Sequence, residues 1–176
     1  MQSATDIDKP ATIHPSAVVS PRARIGHDCY IGPYSIVGDE VELGDGVIMA
    51  NGATLAGHVR VEEQANIGAY SGVHQYCRIG REAYVGGYSV VVKDALPYAL
   101  TVGNHARCYG LNVTGMKRRD YSRAVIDALH HAFHLLLSAK LNTSQAIERI
   151  REELTGFNEV DELVRFIETS KRGVIK

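Results

Sequence analysis

The chain has 176 residues, 45% of them hydrophobic and 22% charged, which is enough for one globular domain with or without a small appendage. Its formal net charge of −1 excludes a globally basic nucleic-acid binder. No apolar run reaches the length of a membrane span, and the first residues lack the apolar core of a signal peptide. We therefore expect a cytoplasmic protein without a transmembrane segment. Three cysteines with no C-x-x-C spacing argue against a disulfide framework.

A period of six residues runs through the first half of the chain. The repeating position is always aliphatic or Met: Ile13, Val19, Ile25, Ile31, Val37, Leu43, Met49, Leu55, Val61, Ile67, Val73, Ile79, Val85 and Val91. The residue four places after each of these is small or β-branched, and glycine directly follows seven of the fourteen. Six residues fit one short strand and one turn of a triangular solenoid. The sequence therefore predicts a parallel β-helix over residues 11–96, with about five coils.

Helical signals follow once the period stops at Val91. Residues 97–120 contain Pro97 and several glycines, and we interpret them as a connector loop. Residues 121–176 are the predicted helical appendage, which we expect to cover the C-terminal end of the solenoid. The predicted helices and their capping residues are 122–140, 143–154 with Asn142 and Gln145, and 159–171 with Asn158 and Asp161.

The period also assigns positions to individual side chains. Cys29 and Cys77 occupy the small inward position, so we interpret them as buried packing residues. A face recurs every eighteen residues, which places His58 and His74 on the same face of adjacent coils, roughly 5 Å apart along the axis. Gln75 follows His74 with an amide that both donates and accepts hydrogen bonds. These are either ordinary surface residues or part of a polar site.

A site on this face needs more than one chain. A single triangular prism has no deep cleft, so a neighbouring subunit must supply the second wall, and a threefold homotrimer is the natural closure. The local pattern offers no carboxylate or thiolate partner for a metal, and we expect neither a metal nor a cofactor. His130 and His134 have the i, i+4 spacing of a metal pair but fall off the apolar stripe, so we interpret them as surface histidines. Basic residues 117–119 are either a solvated run or a phosphate-binding cluster.

Several stretches resemble a known family. "ATLAGHVRVEEQANIGAYSGVHQYCRIG" from residue 53, "VGGYSVVVKDALPYALTVGNHARCYGLNVTGMKRRDYSR" from residue 85 and the ending "SKRGVIK" are similar to the UDP-N-acetylglucosamine O-acyltransferases of lipid A biosynthesis, which are hexapeptide-repeat acyltransferases. The first hexads resemble the start of the same family, so the resemblance covers nearly the whole chain. It implies a mainly β fold, a left-handed parallel β-helix with C-terminal helices, in a homotrimer with sites between subunits.

The resemblance also implies an activity, partners and binding residues. The family transfers a hydroxyacyl chain from acyl carrier protein to the 3-hydroxyl of UDP-N-acetylglucosamine. The substrate-binding residues carried over to this sequence are His58, His74, Gln75, Gly87, His105, Asn112, Arg118 and Arg119, with Gly87 at the position that limits acyl-chain length. Acyl carrier protein is acidic, which agrees with the 12 basic and 9 acidic side chains of residues 101–176.

The chain departs from the family at its catalytic base. It joins early coils directly to late ones and so resembles a shortened member that lacks central coils. The family's general-base histidine lies nineteen residues before the "TLAGH" histidine, and that position is Asp39 here. An ordinary aspartate titrates near pH 4 and is a poor base for an alcohol. His27, which belongs to a different face, and His58 are the other candidate bases.

Whether the protein is an enzyme therefore stays open at the level of sequence. The leading hypothesis is acyl transfer from acyl carrier protein to UDP-N-acetylglucosamine, with His58, His27 or Asp39 as the base. The alternatives are a non-catalytic module that binds sugar nucleotide or acyl carrier protein, an acyltransferase with a small acyl-CoA donor, and a trimeric scaffold without a ligand.

Overall fold

The computed structural model describes residues 9–176, which form a solenoid followed by helices. Each hexad contributes one two-residue strand, and three strands make one coil. Within the hexads, strands eighteen residues apart pair in parallel, as Ile31 does with Met49 and Ile67 with Val85. The left-handed parallel β-helix of about five coils is confirmed.

Three sheets form the sides of the solenoid. The first sheet contains β1 (Thr12–Ile13), β4 (Tyr30–Ile31), β7 (Ile48–Met49), β10 (Asn66–Ile67), β13 (Tyr84–Val85), β15 (Ala99–Val102) and β16 (Arg107–Leu111). The second sheet contains β2 (Val18–Val19), β5 (Ile36–Val37), β8 (Thr54–Leu55), β11 (Gly72–Val73) and β14 (Val90–Val91). The third sheet contains β3 (Arg24–Ile25), β6 (Glu42–Leu43), β9 (Arg60–Val61) and β12 (Arg78–Ile79).

The hexad pattern determines what lies inside the solenoid. In each two-residue strand the second, aliphatic residue points inward, and Leu55 and Ile67 have no exposed surface. Small residues line the inner corners, where the Ser71 hydroxyl donates to the carbonyl of Gly86 at 2.7 Å. Cys29 and Cys77 are buried there as predicted, and burial raises the pKa of Cys77 to about 11. They are packing residues, since a buried thiol is a poor nucleophile.

From Asp28 to Tyr88, each corner of the solenoid contains one residue in the left-handed backbone region. These residues recur every sixth position: Asp28, Tyr34, Glu40, Gly46, Gly52, His58, Gln64, Tyr70, Tyr76, Glu82 and Tyr88. Because a coil has three corners, each corner carries its own column of stacked residues, spaced by one strand separation of about 4.8 Å. Glu40, His58 and Tyr76 form one column, and Tyr34, Gly52, Tyr70 and Tyr88 form another.

The segment after the solenoid is more ordered than the sequence indicated. Residues 97–120 were expected to be a connector loop, but they contain β15, β16 and a short helix, α1 (Val113–Arg118). β15 pairs in parallel with β13 and then turns back antiparallel as β16, so this hairpin extends the first sheet. The period of six ends here because the strands become longer and reverse direction, although the sheet itself continues.

Three further helices pack over this hairpin. They are α2 (Arg123–Leu137), α3 (Thr143–Glu153) and α4 (Asn158–Glu168). Their buried faces share one cluster with Leu96, Tyr98 and Leu111, so the helices cover the C-terminal end of the solenoid. The predicted capping box of Asn142 and Gln145 is present. None of the helices in residues 9–176 has the length and apolar character that crossing a bilayer requires.

One predicted cap is wrong. Asn158 was expected to precede its helix, but it is the first helical residue, and the capping position is taken by Phe157, whose side chain makes no capping hydrogen bond. Glu159 and Asp161 instead place negative charge in the first turn of α4, where the unpaired N–H groups of the helix favour it.

Replacement of Ile67 by Ala should destabilise the protein strongly. The side chain is fully buried in the middle of the solenoid, and loss of a buried aliphatic group commonly costs about 2–5 kcal/mol because a cavity remains. Urea unfolding followed by circular dichroism measures the loss. Ile13→Ala is the matched control, since Ile13 has the same place in its hexad but is 44% exposed. Equal losses for the two variants would contradict the burial of Ile67 in the core of the solenoid.

Candidate functional site

Four of the residues singled out in the sequence lie at one corner of the solenoid. This histidine corner consists of the turns that join the second sheet to the third, residues 38–41, 56–59 and 74–77. Asp39, His58, His74 and Gln75 are all exposed there. Backbone hydrogen bonds link neighbouring coils at this corner. The His58 backbone N–H, for example, donates to the carbonyl oxygen of Asp39 at 2.8 Å.

The direct neighbour of His58 on the next coil is Tyr76. Leu55 pairs with Val73, so His58 lies level with Tyr76 and His74 lies level with Ala56. The two rings stack with centroids 4.7 Å apart and planes inclined by 4°. Tyr76 is not among the site residues expected from the sequence, although adding eighteen to 58 gives 76. The stack fixes the plane of the imidazole at the surface.

His74 is held by hydrogen bonds of its own. Its Nδ1 lies 3.1 Å from the carbonyl oxygen of Gln75. Its backbone N–H donates to the carbonyl of Val91 at 2.8 Å, and its carbonyl accepts from the N–H of Cys77 at 3.2 Å. The turn that carries His74 is therefore tied both to the coil above and within itself.

Asp39, which the resemblance places at the position of the family's base, interacts with Ser20 and Arg22. Its carboxylate accepts a hydrogen bond from the Ser20 hydroxyl at 2.5 Å and forms an ion pair with Arg22. The hydrogen bond from Ser20 and the one from Arg22 lower the pKa of Asp39 below its ordinary value. A carboxylate stabilised in this way holds a proton even less readily than a free aspartate, so it is a poor general base.

The pKa of Asp39 should rise when its partners are removed. In the wild-type protein we expect the carboxyl to titrate below its usual range, so that the bonds to Ser20 and Arg22 are complete at neutral pH and weaken as the pH falls through that lowered pKa. Carboxyl carbon NMR should show an upward shift in Ser20→Ala and in Arg22→Gln. An unchanged pKa in both variants would contradict this description.

His27 does not join the histidine corner within one chain. It lies in the turn that joins the third sheet to the first, where its backbone N–H donates to the Asp45 carboxylate at 2.7 Å. His27 therefore projects from another corner, as expected from its place in the hexads. Within one chain it has no part in the site around His58.

Gly87 and His105 lie at the remaining corner. We call the column of Tyr34, Gly52, Tyr70 and Tyr88 in the turns from the first to the second sheet the tyrosine edge. Gly87 precedes Tyr88, whose ring stacks on Tyr70 with centroids 5.4 Å apart. A Cβ added at Gly87 would lie 3.2 Å from the carbonyl oxygen of Ala69, so a larger residue fits only after a small shift. His105 is exposed in the hairpin between β15 and β16.

Asn112, Arg118 and Arg119 line a groove beside the first sheet. The groove has a volume of about 680 Å³ and lies between α1 and the outward residues of the sheet, among them Tyr84. Asn112 caps α1, since its Oδ1 accepts from the Gly115 N–H at 3.1 Å, and its Nδ2 donates to the Glu82 carbonyl at 3.0 Å. Asn112 therefore also has a structural role.

The two arginines of this groove differ in whether the guanidinium group is already part of an ion pair. Arg119 Nε lies 2.7 Å from the carboxylate of Glu82, which is only 4% exposed. Burial raises the pKa of Glu82, and the Arg119 guanidinium opposes that shift. Arg118 is exposed, and in the part of the chain that the structure describes it forms no ion pair. Arg118 is consequently the side chain of this pair that is available to an anionic ligand.

The residues carried over from the family resemblance thus occupy three separate places in one chain. The first set, at the histidine corner, is His58, His74 and Gln75. The second set, at the tyrosine edge, is Gly87 and His105. The third set, in the groove beside the first sheet, is Asn112, Arg118 and Arg119. The groove that Asn112, Arg118 and Arg119 line contains no residue of the other two sets. A single chain therefore presents parts of a site on different sides of its prism.

Family comparisons agree with this architecture. The model described as the GMPPB C-terminal domain matches residues 7–113, and because this is more than half of the chain, the chain belongs to that family. A second model, described as UDP-N-acetylglucosamine O-acyltransferase, domain 2, matches residues 94–175. The two matches together span the solenoid and the helical region.

Characterised relatives confirm the resemblance stated from the motifs. A protein of Aliivibrio salmonicida is 36% identical over 121 residues, which is 69% of this chain and 46% of the relative. One of Burkholderia orbicola is 41% identical over 125 residues, 69% of this chain and 48% of the relative. Both are named acyl-[acyl-carrier-protein]–UDP-N-acetylglucosamine O-acyltransferase. The chain spans about half the length of these relatives.

Solved structures share the fold. LpxA from Acinetobacter baumannii aligns with a TM-score of 0.73 at 24% identity, covering 97% of this chain and 100% of that one. UDP-N-acetylglucosamine O-acyltransferase from Moraxella catarrhalis aligns with a TM-score of 0.71 at 24% identity, covering 96% of each chain. At this level of identity the alignments establish the common architecture.

Proposed function

We propose that the protein transfers an acyl chain from acyl carrier protein to the 3-hydroxyl of UDP-N-acetylglucosamine. The observation that carries the proposal is the histidine corner, where the motifs "TLAGH" and "VHQ" bring His58, His74 and Gln75 to one exposed surface. Relatives at 36% and 41% identity are named for this reaction. Neutral imidazole and amide groups suit the binding and deprotonation of a sugar hydroxyl.

The proposal includes a homotrimer. The outward residues of the first and second sheets include large exposed apolar side chains: Val18, Tyr30, Ile36, Ile48 and Tyr84. The outward residues of the third sheet are instead charged: Arg24, Glu42, Arg60 and Arg78. Apolar surface on two sides and charge on the third favour subunit contacts through the first two sheets.

A threefold arrangement would assemble the separated residues. With the tyrosine edge toward the axis, the second sheet of one subunit faces the first sheet of its neighbour. The histidine corner then borders the side on which Asn112 and Arg118 of the neighbour lie. The histidine corner would contact the reacting sugar. Arg118 of the neighbour would contact the negatively charged diphosphate, for which an exposed arginine is well suited.

One observation favours a second function. Asp39 occupies the family's base position and is bound to Ser20 and Arg22, so the protein lacks the usual catalytic group at that place. A protein that keeps the binding residues without a base would hold sugar nucleotide or acyl carrier protein without chemistry. Loss of a general base commonly lowers the rate about 10²–10⁴-fold, which separates the two functions in a direct assay.

Single-turnover transfer decides between them. Hydroxyacyl carrier protein and UDP-N-acetylglucosamine are mixed with excess protein, and nucleotide binding is measured by calorimetry on the same sample. The proposal predicts that the wild type forms the ester and that His58→Ala weakens nucleotide binding. Binding without ester formation would establish the non-catalytic module, and absence of both would overturn the proposal.

Mixed trimers test whether sites lie between subunits. We expect trimers of His58→Ala and trimers of Arg118→Ala to have little activity, because every site then lacks one of these two side chains. In heterotrimers formed by co-expression of the two variants, one of the three sites should combine an unaltered His58 with an unaltered Arg118 of the neighbour, which is about a quarter of all sites when equal amounts of the two chains mix at random. Transfer activity of that order would support shared sites.

The control is co-expression of two differently tagged copies of one variant, which should recover nothing. Heterotrimers of the two variants that stay as inactive as their parents would contradict a site shared by neighbouring subunits.

A further inference from the structure

We infer that His74 is the general base of this protein, in place of the family histidine that Asp39 replaces. The inference rests on the proposed function, since a base is needed only if the sugar hydroxyl attacks an acyl thioester. It goes beyond the resemblance, which gives His74 only a binding role.

The tautomer of the His74 imidazole is fixed by its neighbour. The His74 Nδ1 lies 3.1 Å from the Gln75 carbonyl oxygen. A carbonyl oxygen only accepts hydrogen bonds, so Nδ1 must carry the hydrogen. In the neutral ring the lone pair is then on Nε2, which is the atom that can take a proton. An Nδ1–H bond to a fixed acceptor is the arrangement that orients a base histidine.

The acceptor is held in place, since the Tyr76 N–H, which belongs to the same peptide group as the Gln75 carbonyl, donates to the Gly57 carbonyl at 3.2 Å. His74 directly follows β11, whose residues pair with β8 on one side and β14 on the other. The His74 N–H and carbonyl both take part in hydrogen bonds, to Val91 and Cys77 respectively. A side chain on such a turn changes its position little, and the imidazole remains exposed for a substrate.

The other candidate bases lack this combination. Asp39 is bound to Ser20 and Arg22 as a carboxylate. The imidazole of His58 stacks on Tyr76, but within residues 9–176 neither of its ring nitrogens has a hydrogen-bond partner that would select a tautomer. The bond that His27 makes to Asp45 comes from its backbone N–H, and within residues 9–176 its ring has no hydrogen-bond partner that would select a tautomer. Only His74 has both a fixed tautomer and a place at the histidine corner.

The reaction step is balanced without any further reagent. Nε2 of His74 takes the proton of the sugar 3-hydroxyl while the oxygen forms a bond to the thioester carbonyl carbon. The tetrahedral intermediate collapses, the C–S bond breaks, and the departing thiolate recovers the proton from the His74 imidazolium. The products are the sugar ester and the free thiol of the carrier.

The test compares substitutions that keep or remove the two imidazole nitrogens. His74→Asn keeps a donor near the Nδ1 position but has no base, so the single-turnover rate should fall about 10²–10⁴-fold while the dissociation constant of UDP-N-acetylglucosamine changes less than about threefold. His74→Ala should be similarly slow, and free imidazole in the buffer should restore part of its rate. A residue with only a structural role would not be rescued in this way. His130→Asn, on the exposed side of α2, is the matched control and should keep the wild-type rate.

Nitrogen-15 NMR of the free protein provides a readout that is independent of turnover. The inference requires His74 to carry its hydrogen on Nδ1, and an Nε2–H tautomer would overturn it. Transfer that survives His74→Asn would overturn the inference and leave the proposed function intact. Absence of transfer by the wild type would overturn the proposed catalytic function and the assignment of a base together.

Discussion

The structure depends on parallel pairing at a fixed separation of eighteen residues. This register places an aliphatic residue inside every strand, as at Leu55 and Ile67, and returns each corner residue to a position directly above its predecessor. A slip of one residue would exchange the inward and outward sets on every sheet, so the register is strongly specified. Core and surface chemistry are consequently determined by the same periodic constraint.

The solenoid could be predicted in nearly full detail for this reason. A strict period of six leaves few alternatives, and burial of the aliphatic positions, of Cys29 and of Cys77 follows directly from it. The hairpin of β15 and β16 was missed because its strands no longer follow the period. The role of Asn158 was also misjudged, since the sequence contains a capping pattern there and the neighbouring Phe157 packs against the helices.

The candidate site was only partly predictable. Membership of His58 and His74 in one corner follows from the period, but the stacking of His58 on Tyr76 and the bond of His74 to the Gln75 carbonyl depend on side-chain conformation. Burial of Glu82 beneath Arg119 depends on where α1 packs, and nothing in the hexads specifies that. The period predicts on which side of the solenoid a residue lies, whereas side-chain conformation and packing determine which hydrogen bonds, stacks and ion pairs it forms.

Under the proposed function, the same corner accounts for a base at His74 in place of the one expected at position 39. Asp39 is bound by Ser20 and Arg22 on the coil below, so it stabilises the corner and has no free capacity as a base. His74 lies on the coil above Ala56 and has its tautomer set by the neighbouring carbonyl. Placing a new base there needs no change of fold, since each turn of the corner projects its side chains to the same surface.

The proposed site combines the histidine corner of one subunit with the groove of its neighbour that Asn112, Arg118 and Arg119 line. The most direct measurement is an experimental structure of the protein with UDP-N-acetylglucosamine bound. We expect the sugar beside His58, His74 and Gln75 of one subunit, with the diphosphate near Arg118 of the next. A nucleotide bound by one chain alone, or a monomer in solution, would contradict it.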